Sequence, residues 1–151
     1  MTRRPTTVLV LAAVLAATLV TSGCSGSADG TVAVSAGPTA SAAPASGAEL
    51  GATDFAAALK RSGTTIVDVR TPQEYAQGHL PGAVNLDVSS SDFGARIAAL
   101  DPSAPYAVYC RSGNRSGVAL AAMADQGFTA AYHLGGGIGA WQEAGGEVVT
   151  G

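Results

Sequence analysis

The chain has 151 residues, of which 47% are hydrophobic, 5% aromatic and 13% charged, with a formal net charge of −3. That length holds one domain of ordinary size plus a tail rather than two domains, and the scarcity of aromatics implies a core built from small side chains. The acidic balance speaks against nucleic acid as a partner, since such binding leans on clustered cations.

Met1-Thr2-Arg3-Arg4 followed by the apolar run Val8 to Val20 has the charged and apolar regions of a secretory signal. A run of thirteen residues is too short for the ~20 that span a bilayer as a helix, so this segment is expected to be cleaved. Leu19-Val20-Thr21-Ser22-Gly23-Cys24 resembles a bacterial lipobox, although Thr21 departs from the usual aliphatic residue. The resemblance implies a signal peptide over 1–23 and a Cys24 that carries diacylglyceryl and N-acyl groups. An ordinary secretory signal with an incidental cysteine is the alternative, and Arg3-Arg4 lacks the following apolar pair of a twin-arginine signal. Several acyl chains suffice for stable anchoring, which would place the protein outside the cytoplasm on a membrane. Loss of 1–23 would leave six Lys and Arg against eleven Asp and Glu, a net charge of −5. Residues 24–48 are rich in Ser, Ala, Gly and Pro and read as a disordered tether, unable to bury enough surface to offset ordering entropy.

The domain is expected over 49–151. A helix is predicted from Asp54 to about Arg61 with Thr53 as cap. Thr65 to Val69 reads as a buried strand that contains Asp68 and is closed by Arg70; a buried charge at Asp68 must be paired. Thr71-Pro72-Gln73-Glu74 is a capping box that starts a short helix ending at Gly78. Gly78 to Gly82 is a turn that contains His79, and Ala83 to Asp87 a strand. Ser91 is the expected cap of a helix over Asp92–Leu100, with Phe93, Ile97 and Leu100 on one face.

Tyr106 to Tyr109 is an apolar strand that delivers Cys110 to the loop Arg111-Ser112-Gly113-Asn114-Arg115. Beyond it a helix is expected from Ser116 to Gln126, with Val118, Ala122 and Met123 inward. Ala130 to Leu134 is a further strand, with His133 as a satisfied strand residue. After Gly135-Gly136-Gly137 comes a short helix over Ile138–Ala144, and Val148-Val149 closes an edge. Alternating strands and helices define an α/β domain with a mostly parallel central sheet and helices on both faces.

Cys110 stands where a strand hands over to a helix, the place where open α/β sheets bind ligands. A helix N-terminus and flanking arginines depress a thiol pKa from about 8.5 towards ~3.5–7.5, so Cys110 is expected to be a thiolate open to solvent. Gly113 and Asn114 suit a loop whose successive amides turn inward on an anion. The bland alternative is a small buried hydrophobe. With Cys24 lipidated and Cys110 alone, no structural disulfide forms, and two widely spaced histidines give no zinc pattern. No cofactor or metal is expected.

Cys110-Arg111-Ser112-Gly113-Asn114-Arg115-Ser116 resembles the active-site loop of rhodanese-domain sulfurtransferases. Val67-Asp68-Val69-Arg70 with Glu74-Tyr75 and Gly78-His79-Leu80-Pro81-Gly82-Ala83, and Gly135 to Trp141, resemble two further landmarks in the family's order. The resemblance covers about residues 48–151. It implies a single rhodanese-like domain in which Cys110 takes a sulfane sulfur from a small anion such as thiosulfate and gives it to cyanide or a thiol. The loop 111–116 would bind the donor, Arg111 and Arg115 would hold its charge, and Asp68, Arg70 and Glu74 would support the site. Either Glu74 or Asp68 could brace Arg115. Cys-x4-Arg is one residue shorter than the loop of cysteine phosphatases, a shorter ring that suits one sulfur atom better than a phosphate. The other alternative is a binding module that carries a persulfide, or passes it to a protein acceptor, without turnover.

Overall fold

The computed structural model describes residue 34 and residues 37–151. The expected signal peptide, Cys24 and most of the expected tether lie outside these residues. The elements run β1 (Glu49–Leu50), α1 (Ala52–Leu59), β2 (Thr65–Asp68), α2 (Pro72–Gln77), β3 (Val84–Asn85), α3 (Phe93–Ala98), β4 (Tyr106–Tyr109), α4 (Asn114–Asp125), β5 (Ala131–Leu134) and α5 (Gly137–Glu143). The five strands form one sheet in the order β1-β5-β4-β2-β3 with every pair parallel. This is the single α/β domain that the alternation of elements implies.

Side chains alternate across a strand, and β4 divides its residues accordingly. Tyr106, Val108 and Cys110 pack with Phe93, Ile97, Ala119, Leu120 and Met123 on the face covered by α3 and α4. Ala107 and Tyr109 pack with Phe55, Ile138 and Trp141 on the face covered by α1 and α5. β4 is buried along its whole length, as a central parallel strand between two helical layers must be. The alternation therefore fixes Cys110 on the α4 side of the sheet, at the carboxyl end of the central strand.

Several boundaries differ from expectation for identifiable reasons. Gly51, not Thr53, caps α1, because Phe55 N–H bonds to Gly51 O (2.9 Å). Asp92 rather than Ser91 caps α3, and its side chain makes no capping bond. Helix α4 begins at Asn114, two residues early. On α4, Val118 points outward at 63% exposure while Ser116, Ala119, Leu120 and Met123 are buried. An Ala-rich helix offers so little contrast between faces that its inward stripe is weakly encoded. Val149 bridges His79 instead of a sheet edge, with mutual backbone bonds of 2.8 and 2.9 Å.

The described end of the expected tether lies against the domain. Ala40 N–H donates to Ala57 O (2.9 Å), one of the carbonyls left free at the end of α1. Gly47 N–H donates to Ala131 O (2.7 Å) and Ser46 Oγ to Phe128 O (3.4 Å). Backbone hydrogen bonding, which composition does not report, orders residues 37–48 here.

Asp68 and Arg70 form a fully enclosed ion pair beneath the site. Arg70 Nε donates to both carboxylate oxygens of Asp68 (2.9 and 3.0 Å), Nη2 to Oδ2 (2.5 Å), and the Arg70 amide to Oδ1 (2.9 Å). Arg70 Nη2 also donates to Gly78 O (2.6 Å), which ties β2 to the turn after α2, and the guanidinium lies 5.5 Å from the Tyr109 ring centroid. Each charge is thus satisfied by the other and by backbone. Loss of either alone would strand its partner at a cost of about 3–5 kcal/mol.

Candidate active site

Cys110 directly follows β4, and the next residues wrap around its sulfur. Gly113 adopts φ 97°, a conformation that costs glycine little and other residues much. That left-handed turn brings Gly113 N–H to Cys110 Sγ at 3.1 Å. Ser116, in the first turn of α4, directs its hydroxyl at the same sulfur from 3.6 Å. The amides of Ser112 and Ser116 lie near enough to favour its charged form. No side chain caps α4; the sulfur accepts from the Gly113 amide at the helix start in place of one, at the positive end of a 12-residue helix.

Carbonyls of the same loop are turned the other way. Ile138 N–H at the start of α5 donates to Cys110 O (2.9 Å). Gly137, at φ 61°, lies so close that a Cβ there would collide with the carbonyls of Cys110 and Arg111. The glycine run 135–137 is therefore no phosphate loop. It lets α5 approach closely enough to hold the loop's carbonyls outward while its amides face the sulfur.

Burial raises the Cys110 pKa, and the Ser116 hydroxyl with the amides of Ser116, Ser112 and Gly113 lowers it by more, so that the thiol lies below its ordinary value. Hydrogen bonds carry the lowering, whereas the sequence pointed to the helix N-terminus and the flanking arginines together. The expectation of an open thiolate is corrected: Cys110 has 0% exposure, because Gly113 and the start of α4 close over it.

The predicted site residues separate into two groups. Arg115 does not face the sulfur freely; its Nη1 and Nη2 donate to Glu74 Oε2 and Oε1 at 2.7 and 2.8 Å, a two-pronged bridge from α4 to α2. Glu74 also completes the capping box, accepting from Thr71 N (3.2 Å) while Thr71 Oγ1 accepts from Glu74 N (3.3 Å). Glu74, not Asp68, is thus the brace, and Asp68 is occupied by Arg70. Arg111, Ser112 and Asn114 are exposed. Arg111 borders a cleft of about 240 Å³ with Arg70, Glu74, Gln77, Ile138 and Gln142. The cleft lies beside the loop, and Cys110 is not among its walls.

His79 is held structurally, its Nδ1 3.0 Å from Tyr75 O and its ring stacked on Tyr75 at 3.7 Å. His133, read from the sequence as a satisfied strand residue, is in fact next to the loop: its Nδ1 is 3.0 Å from Ser116 Oγ and its Nε2 3.4 Å from Glu49 Oε2. Strand register could have located it, since His133 pairs with Val108, two residues before Cys110 on the same face.

With this geometry in hand, comparison with known proteins gives the family. Residues 51–144 match the rhodanese-like domain, and the chain belongs to that family. The thiosulfate sulfurtransferase GlpE of Pseudomonas fluorescens is 44% identical over 88 residues, 58% of this chain and 78% of that protein. GlpE of Pseudomonas entomophila is 43% identical over the same shares. A crystal structure of a rhodanese-related protein from Thermoplasma volcanium has a TM-score of 0.61 at 30% identity, covering 69% of this chain and 99% of that one. The Alr3790 protein of Anabaena follows with a TM-score of 0.55 at 28% identity, over 60% of this chain and 71% of that one.

The Glu74–Arg115 bridge predicts an acid-sensitive contribution to stability. Arg115 lowers the Glu74 carboxyl from 4.5 to about 2 in the folded chain, helped by Thr71. Unfolded, the group protonates near 4.5, so the bridge stabilises fully above that pH and is lost as pH falls towards 2. With 25% of the Glu74 and 31% of the Arg115 side chain exposed, screening holds the effect to about 1 kcal/mol. Urea unfolding of Glu74→Gln and wild type should differ by that amount at pH 6, and the difference should shrink below pH 4.5 and vanish only below about pH 2; an equal difference at pH 6 and below pH 2 would contradict the assignment.

Proposed function

We propose that the protein is a thiosulfate sulfurtransferase that works through a persulfide on Cys110. The observation that carries the reading is that the Gly113 amide and the Ser116 hydroxyl are both directed at a thiol whose pKa is lowered. A thiolate held in this way is the attacking species for sulfur chemistry. Its lone pair forms a bond to the outer sulfur of thiosulfate, the sulfur–sulfur bond of the donor breaks, and sulfite leaves with that electron pair. The new persulfide anion keeps the loop amides as donors, as an oxyanion hole would. Cyanide or a thiolate then attacks the outer sulfur and returns Cys110 to the thiolate. Arg111, exposed at the cleft, supplies positive charge for the approaching donor, and Arg115 holds the loop through Glu74. The GlpE relatives are named for this activity.

The closed loop must part to admit the outer sulfur. That closure favours a second reading, in which Cys110 holds a persulfide for a protein acceptor and turns over small molecules slowly. Phosphate-ester hydrolysis is disfavoured, because the loop arginine at 115 is already bound to Glu74.

We read Cys24 as the lipidated first residue of an exported protein, on the strength of Ser22-Gly23-Cys24 after the apolar run. In cells that process lipoproteins, the wild-type chain should sediment with membranes and Cys24→Ala should not. Equal fractionation of both would remove the anchor.

Incubation of the purified domain with thiosulfate should add one sulfur by intact mass, which cyanide removes and Cys110→Ser prevents. Arg111→Ala should raise KM for thiosulfate several-fold with a smaller change in kcat. A loaded Cys110 without turnover would select the carrier reading, and no adduct on the wild type would refute both.

A further inference from the structure

Cys110, Ser116, His133 and Glu49 form a continuous polar chain from the sulfur to the surface. The links are Sγ to Ser116 Oγ at 3.6 Å, Oγ to His133 Nδ1 at 3.0 Å, and His133 Nε2 to Glu49 Oε2 at 3.4 Å. Cys110, Ser116 and His133 are buried, and only Glu49 is exposed. Ser116 Oγ also lies 2.9 Å from Gly113 O. The hydroxyl has one hydrogen and three acceptors within reach of it, and the state of the imidazole decides where that hydrogen goes.

We propose that His133 is a positioning residue for Cys110, orienting the Ser116 hydroxyl towards the sulfur when the imidazole carries two protons and away from it when it carries one. In the doubly protonated ring Nδ1–H donates to Ser116 Oγ and Nε2–H to Glu49, which frees the hydroxyl hydrogen for the thiolate and Gly113 O. In the neutral ring Nε2–H keeps Glu49 and Nδ1 accepts the hydroxyl hydrogen, so the sulfur loses one donor. A proton on the imidazole thus alters the nucleophile through one rotating bond. The inference rests on the reading of Cys110 as a reactive thiolate.

The surroundings of the ring leave few rivals for this control. From β1, Glu49 faces it across the pair Glu49–His133. From α4, Ser116 and Gly117 approach, the latter close enough that a Cβ would lie 3.9 Å from the ring, while Arg115 is turned to Glu74. From the end of β4, Cys110 acts through Ser116. Burial favours the neutral ring and the Glu49 carboxylate opposes it, so the two forms are set against each other by groups already named.

The test is the pH profile of Cys110 alkylation by iodoacetamide. Replacement of His133 by Phe should move its midpoint down by about one pH unit, the order expected for one hydrogen bond gained by a charge, because the ring that is neutral above its lowered pKa no longer draws the Ser116 hydroxyl away from the sulfur. His133→Asn, with a non-titrating amide oxygen that accepts near the Nδ1 position, should restore the midpoint. If His133→Phe does not fold, proton magnetic resonance of the His133 ring in the native chain decides the matter. Its titration should shift to lower pH in Cys110→Ser and in Glu49→Gln. An unchanged alkylation midpoint in His133→Phe, or a His133 titration identical in wild type and Cys110→Ser, would overturn the proposal. Either result alongside a thiosulfate adduct would leave sulfur transfer standing; intact coupling without an adduct would leave the positioning role standing and remove sulfur transfer.

Discussion

The structure depends on main-chain amides being held pointing at one sulfur atom. A loop of this length has no intrinsic reason to turn its N–H groups inward, since peptide groups are indifferent to which way they face until something accepts from them. Two constraints settle the matter. The left-handed Gly113 reverses the chain at the start of α4, and Ile138 at the start of α5 takes the Cys110 carbonyl on the far side. With the carbonyl fixed outward, the amides that follow are left to the sulfur.

The rest of the domain can be understood as support for that arrangement. The central position of β4 buries Cys110 between two helical layers, which excludes water and strengthens each amide–sulfur contact. Excluding water also raises the cost of the charge, so the donors must outweigh desolvation, and the lowered pKa of Cys110 records that they do. The two ion pairs differ in kind. Asp68–Arg70 is enclosed and links β2 to the turn after α2, whereas Glu74–Arg115 is partly exposed and links α2 to α4 beside the loop. Arg70 of the first and Glu74 of the second both line the cleft.

Much of this was legible in the sequence because it is local. Thr71-Pro72-Gln73-Glu74 names its own capping box, the apolar run Tyr106–Tyr109 announces a central strand, and Cys110 falls at its end by simple counting. What was illegible depends on contacts between distant segments. The two-residue strand β1 exists only because β5 pairs with it, and residues 37–48 are ordered by carbonyls of α1 and β5 that no local pattern announces. The exposure of Val118 follows from the packing of an Ala-rich helix with little difference between its faces. The choice of Glu74 over Asp68 as partner of Arg115 needed to know that Arg70 folds back on Asp68. His133 came to the loop through strand register, a relation between β4 and β5 that neither strand carries alone.

The central claim is that hydrogen bonds keep the Cys110 sulfur anionic inside a closed loop. It is tested most directly by following thiolate absorbance in the ultraviolet against pH, with Cys110→Ser as the blank. The account predicts a midpoint clearly below the ~8.5 of a free thiol. A midpoint at or above that value would mean that burial outweighs the amides, and would contradict it.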